Sequence, residues 1–232
     1  MIWPFRPTPA PALDAASTAR CVALKSLPVV DLARPFAEYD WCVVDVETGG
    51  LDAARDPLLS IGAVRIGAGR IALDASLEVG LAQSQATGAA NILIHGISDS
   101  VQLGGEPPHE ALLDWLEFAG SAPRVAFHAG FDQTVLQRDA LARLGLKSPA
   151  PWFDAAVVAP LLFPDDAPHC RHLDDWLARF GIAVFSRHGA LADAYATAEL
   201  WLVLLAALKR EGIATPRRLL KLLQARRWLM AN

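Results

Sequence analysis

The strongest constraint in this chain is a change of hydrophobic period part-way along it. Three β-rich apolar runs come first: WCVVDVE (41–47), LLSIGAVRI (58–66) and RIALDASLEV (70–79), with turns at Gly49-Gly50 and Gly67-Gly69. Runs joined this closely predict consecutive strands in an antiparallel meander. The period then lengthens from two to about four. Segments 107–119, 131–145 and 171–181 place apolar residues at helical spacing, with a short strand RVAFH (124–128) between the first two. Strands followed by helices that alternate with further strands indicate an α/β sandwich. From Ala190 to Arg210, Leu191, Ala194, Ala198, Trp201, Leu205 and Leu208 recur every three or four residues, which predicts a buried central helix. TPRRLLKLLQARRWL (215–229) reads as a basic amphipathic helix.

A length of 232 residues is ample for one good-sized core. Residues 1–38 carry six prolines with little sustained periodicity and read as a Pro-rich N-terminal tail that packs along the domain. Residues 39–212 read as the main domain, and 213–232 as a basic amphipathic C-terminal helix packed on it. The mean hydropathy is +0.28, yet the longest uninterrupted apolar run, Leu200–Leu208, is too short to span a bilayer. No secretory leader is expected at the N-terminus. Cys21, Cys42 and Cys170 form no metal-binding or disulfide spacing, which suits a reducing, cytoplasmic compartment without a membrane.

The net charge of −4 argues against broad electrostatic coating of nucleic acid. Its distribution is uneven, however. Residues 201–232 hold seven basic and one acidic residue, leaving 14 basic and 24 acidic in the first 200.

Asp45 and Glu47 stand at i and i+2 in an otherwise apolar strand, so both carboxylates leave one face about 6.6 Å apart. Two like charges there are costly unless a cation joins them or the face is solvated. Hard oxygen ligands suit magnesium or manganese; an edge strand with a wet acidic face is the equal alternative. Asp132 follows the strand RVAFH and opens a helix, which by itself is ordinary capping. His188 precedes the central helix and Asp193 lies in its first turns, so an imidazole and a carboxylate can converge there.

Together these elements resemble the DEDDh, or DnaQ-like, family of 3′→5′ exonucleases, which includes the proofreading epsilon subunit of DNA polymerase III. The three motifs stand as VVDVETGGLDAARDPLLSIGAV (43–64), VAFHAGFD (125–132) and RHGALADAYATAEL (187–200), with HGISD (95–99) between the first two. The resemblance covers roughly residues 40–205. The Tyr-type subclass would need Tyr four residues before Asp193, where Gly189 stands, so the His subclass fits better. The fold implied is ribonuclease H-like: a mixed central sheet containing the three-strand meander, flanked by helices.

The resemblance also implies a site. Asp45, Glu47, Asp132 and Asp193 would hold two divalent ions, Mg²⁺ or Mn²⁺, and His188 would be the general base. Hydrolysis of a phosphodiester needs an activated water and relief of charge on the leaving 3′-oxygen, which a pair of ions supplies. An imidazole of ordinary pKa near 6.5 can accept the water proton at neutral pH. Thr48, Gly49, Gly50 and Leu51 would approach the terminal sugar and base, where glycine permits close backbone approach. His95 and Ile97 would line the terminal-nucleotide pocket. His128 stands where the family usually has Asn, and is expected to hold a loop or phosphate. Asp154 reads as structural, and Trp115, Trp176 and Trp201 as packing residues.

The activity implied is release of 5′-mononucleotides from single-stranded or frayed 3′ ends of DNA, in proofreading or repair, with a DNA polymerase as partner. The alternatives are an RNA or oligoribonucleotide substrate and, at greater remove, a catalytically silent nucleic-acid-binding module. Two divalent cations would bring the formal charge of −4 to zero. An acidic first 200 residues is therefore compatible with a phosphate substrate.

Overall fold

The computed structural model describes residues 13–85, 98–184 and 189–231. Its meander consists of β1 (Trp41–Thr48), β2 (Leu58–Gly67) and β3 (Arg70–Gly80), paired antiparallel in sequence order. The Val-, Ile- and Leu-rich runs bury β1 and β2 on both faces, whereas β3, at the sheet edge, alternates toward solvent. On the other side of β1 lie β4 (Arg124–Ala126) and β5 (Trp152–Asp154), both parallel to it, giving a five-stranded mixed sheet in the order β3-β2-β1-β4-β5.

Helices cover both faces. Before the sheet comes α1 (Ala15–Lys25); after β3 come α2 (Asp99–Leu103) and α3 (Pro108–Ala119). Then α4 (Gly130–Leu144) follows β4, α5 (Ala155–Leu162) follows β5, and α6 (Leu173–Phe180), α7 (Ala190–Arg210) and α8 (Pro216–Ala231) complete the chain. One core cluster joins α1, α3 and α4 to the sheet through Cys42, Val44, Leu112 and Val135. The other joins α5 to α8 through Val43, Val64, Phe153 and Trp201. Odd and even residues of β1 thus feed opposite layers, as its period of two requires. Trp115, Trp176 and Trp201 are all buried packing residues, in agreement with the sequence reading.

By length and composition α7 could cross a membrane, but half of its most apolar window is buried within the protein. It lies against β1 and β2 as the buried central helix that its spacing predicts.

The differences from the sequence reading have local causes. The segment read as an irregular Pro-rich tail contains α1, which has only a narrow apolar stripe and is fastened by polar contacts instead. Asp14 caps it by accepting from the Ser17 N–H at 2.7 Å. Arg20 then donates to Glu110, Asp114 and Glu117, all on α3. The pair β5 and α5 escaped notice because three residues are too few for a strand period and AAVVAPLL is apolar on every side. On α8, Leu219 and Leu223 are buried in the cluster that contains Trp201.

Candidate active site

The carboxylates of Asp45 and Glu47 project from one face at the C-terminal half of β1, as their spacing requires. Asp193 comes from the first turn of α7, almost 150 residues later, and its carboxylate meets theirs: ligand oxygens of all three lie within 4.8 Å of one another. Each of the three is half-buried.

What lets α7 approach so closely is Gly62. It sits opposite Asp45 in the β1–β2 register. A Cβ at this position would lie 2.1 Å from the carbonyl carbon of Ala190 and from the Leu191 nitrogen. The helix start therefore rests directly on the backbone of β2, which brings Asp193 down to the level of β1. Gly62 was visible in the sequence only as part of the IGAV strand, and spacing gave no sign of this contact.

Asp132 occupies the first turn of α4 but is not a solvated cap, because it is only 4% exposed. Burial pushes its carboxyl up to about 8; the N–H groups of Asp132 itself and Val46 pull the other way, while Asp154 and Glu47 add like-charge repulsion. Burying a fourth acidic group beside Glu47 is unfavourable without positive charge nearby.

The donor set therefore fits a hard divalent cation. It offers carboxylate oxygens only, three of them convergent and a fourth buried beside them, and no soft ligand among the described residues within that cluster. A bound cation would relieve the cost that raises Asp132.

The loop after β1 carries the residues expected near the nucleotide. The Thr48 hydroxyl donates to the Gly50 carbonyl at 2.6 Å, and the Gly49 N–H donates to Pro57 O at 2.9 Å. A Cβ on Gly50 would meet the Asp56 carboxylate at 2.3 Å, so glycine is needed for the loop to close on Asp56. Leu51 projects from this loop 93% exposed, a large apolar side chain that the described residues leave uncovered. Arg138, on α4 beyond Asp132, donates to Ala53 O at 2.8 Å and ties the loop to that helix. The sequence analysis did not single out Arg138.

His128 ends the turn between β4 and α4 with a left-handed φ of 64°, uncommon for a residue with a Cβ. Its backbone N–H donates to Asp154 Oδ1 at 3.0 Å, and the same oxygen accepts from Ala156 N at 3.0 Å. Asp154 thus caps α5 and at once fixes the turn that leads into Asp132. Its reading as a structural residue stands, with a position closer to the site than expected. The His128 side chain is exposed. His95, Ile97 and His188 lie outside the described residues.

An exonuclease family model matches residues 42–201, which is most of the chain and contains all four carboxylates. The chain belongs to the exonuclease family. It is 32% identical over 184 residues to the DNA polymerase III subunit epsilon-like protein of Rhodobacter capsulatus, covering 78% of this chain and 26% of the relative. It is 29% identical over 184 residues to DNA polymerase III PolC-type of Thermotoga maritima, covering 77% of this chain and 13% of that one. This exonuclease thus spans about a quarter or less of these relatives' length. Among solved structures it resembles exonuclease X in complex with 5′ overhanging duplex DNA, with a TM-score of 0.58 and 20% identity over 72% of this chain and 91% of that one. At that identity the likeness establishes the fold, a ribonuclease H-like α/β sandwich. The acidic cluster lies within the stretch that the family model matches.

Proposed function

We propose that the chain is a divalent-metal-dependent 3′→5′ exonuclease of the DEDDh type, releasing 5′-mononucleotides from the 3′ end of DNA. The observation that carries this reading is the convergence of Asp45, Glu47 and Asp193 within 4.8 Å, with buried Asp132 beside Glu47. The choice of DNA is supported by relatives named for DNA polymerase III and by a structural neighbour bound to duplex DNA. The names of the same relatives support a role beside a DNA polymerase; a cytoplasmic location and single-stranded or frayed 3′ ends as substrate belong to the same proposal.

In this mechanism Asp45, Glu47, Asp132 and Asp193 would hold two Mg²⁺ or Mn²⁺ ions, which would offset the phosphoryl charge and favour ionisation of water. His188 takes the proton of the attacking water on its free ring nitrogen. The water oxygen attacks phosphorus in line, the P–O3′ bond breaks, and the 3′-oxygen leaves with the electron pair and is then protonated by solvent. Thr48, Gly49 and Gly50 orient the terminal sugar through the backbone, and exposed Leu51 packs on the last base. His95 and Ile97 border that nucleotide, and the exposed His128 approaches a phosphate.

The test uses DNA and RNA oligomers of equal sequence, labelled at the 5′ end, with Mg²⁺ or Mn²⁺. The expected result is a descending ladder from DNA with release of 5′-mononucleotides. Asp45→Ala should lower the rate by about 10³-fold or more, since several kcal/mol of charge stabilisation depend on it. Immediate release of the 5′ label would reverse the polarity, and shortening of RNA alone would replace the DNA assignment. Undiminished activity in Asp45→Ala would move the site elsewhere.

A further inference from the structure

At the opposite end of β1 and β4 from the acidic cluster lies a second polar centre, built on Arg124. This residue opens β4 beside Cys42, about 16 Å of strand away from Glu47. Its side chain is 1% exposed, yet no carboxylate pairs with it among the described residues. The guanidinium lies over Trp115 at 5.5 Å and Trp152 at 5.9 Å, so aromatic rings occupy its surroundings without accepting its hydrogen bonds. Of its donors, Nη2 reaches the Gly120 carbonyl at a long 3.4 Å, and Nη1 is buried with no acceptor among the described residues. Trp152 Nε1, beside it, is another buried donor with no acceptor. Burial pushes the Arg124 guanidinium down to about 10, which leaves it cationic at neutral pH. A buried cation next to an unsatisfied N–H is costly unless an acceptor is supplied.

Arg124 also lines a cavity of about 230 Å³ that opens between the end of α1 and the segment after α4. That is below the range of ~300–1,000 Å³ typical for drug-sized ligands, so it suits a smaller molecule. Its walls are mainly apolar, from Leu24, Pro28, Val30, Leu116, Leu146 and Pro149, with Ser121 and Ser148 among them. Leu27 and Val29, which also line it, are 40% and 78% exposed at the mouth. Lys25 and Lys147 add positive charge at the same opening, and no acidic residue lines the cavity. A smaller void continues past Arg124 to Trp152, sharing Leu116, Arg124 and Ser148 with the first.

We propose that this cavity is a binding site for a small apolar carboxylate, whose head group accepts from Arg124 while its hydrocarbon body fills the apolar chamber. A carboxylate is acceptor-only and matches the donor-only side chains of Arg124, Lys25 and Lys147. The hydrophobic lining disfavours a free inorganic anion, which would have to give up its water without apolar contact in return. The site is separate from the acidic cluster and does not rest on the nuclease reading.

The test is calorimetric titration of the full chain with hexanoate, hexanol, hexylamine and inorganic phosphate. Hexanoate should give saturable one-to-one binding, and the other three should not. Arg124→Gln should weaken hexanoate by about tenfold or more, the loss of a charged hydrogen-bond partner. Ala150→Phe, which keeps Arg124 and obstructs the chamber, should abolish binding while thermal unfolding stays cooperative; it also serves if Arg124→Gln does not fold. Absence of saturable heat from hexanoate, equal affinity for hexanol, tighter binding of phosphate, or undiminished binding in Ala150→Phe would each overturn the proposal.

Discussion

Asp154 gives the clearest case of a single side chain whose influence reaches beyond its own element. One of its oxygens accepts from both His128 N and Ala156 N, so it holds a left-handed turn and starts α5 together. Asp154→Ala should cost about 1 kcal/mol for the lost cap. It should also slow the nuclease more than that loss of stability explains, because the turn leading to Asp132 is released. Asp154→Asn keeps an acceptor oxygen and should restore most of the rate. Urea unfolding measured beside cleavage rates separates the two effects, and an Asn variant as slow as Ala would show that charge rather than turn geometry matters. The sequence makes Asp45 and Glu47 legible because alternation in a strand fixes which face they share. Asp132 reads there as an ordinary cap, since only packing shows that it is buried. The bond from His128 to Asp154 spans 26 residues, and no local pattern announces it.

Among the elements, the decisive contact is the seat of α7 on β2. Helices normally stand off a sheet by the length of their side chains, and Gly62 removes that spacing at one point. Gly62→Val should lift the start of α7 and draw Asp193 away from Asp45 and Glu47. The expected outcome is loss of at least about 10²-fold in cleavage with a destabilisation of roughly 1–3 kcal/mol, the usual range for overpacking. Denaturant unfolding and cleavage assays check both, and full activity in this variant would mean that α7 reaches its place without the close contact. The helices α3, α4, α6, α7 and α8 were legible from period alone, and so were all three strands of the meander. The short pieces β5 and α2 were not, because too few residues repeat to establish a period, and α5 was not, because AAVVAPLL is apolar on every side.

Over the whole molecule, the N-terminal segment is tied to the far side of the sheet by polar contacts. Arg20 on α1 bonds Glu110, Asp114 and Glu117 on α3, while Phe36 N and Arg217 N reach Ala214 O and Leu32 O to join the chain's two ends. The Arg20 guanidinium holds Glu117 below the usual carboxylate range. A depressed folded pKa gives a contribution that is complete above the unfolded value and vanishes as pH falls through the folded one. The difference in stability between the parent and Arg20→Ala should therefore be about 1 kcal/mol at neutral pH, modest because the groups are partly exposed. It should shrink below about pH 4. Urea titrations at both pH values test this, and a difference that grows with acid would exclude Glu117 as the partner. The sequence by itself determined the meander, the main helices and the identity of the acidic motifs, because strand and helix periods are written in neighbouring residues. Tertiary structure alone decided that Asp193 meets Asp45 and Glu47, that Asp132 is buried, and that Arg124 lines a cavity with no carboxylate partner among the described residues. Those facts depend on residues tens to more than a hundred positions apart, and only close packing of the layers brings such residues into contact.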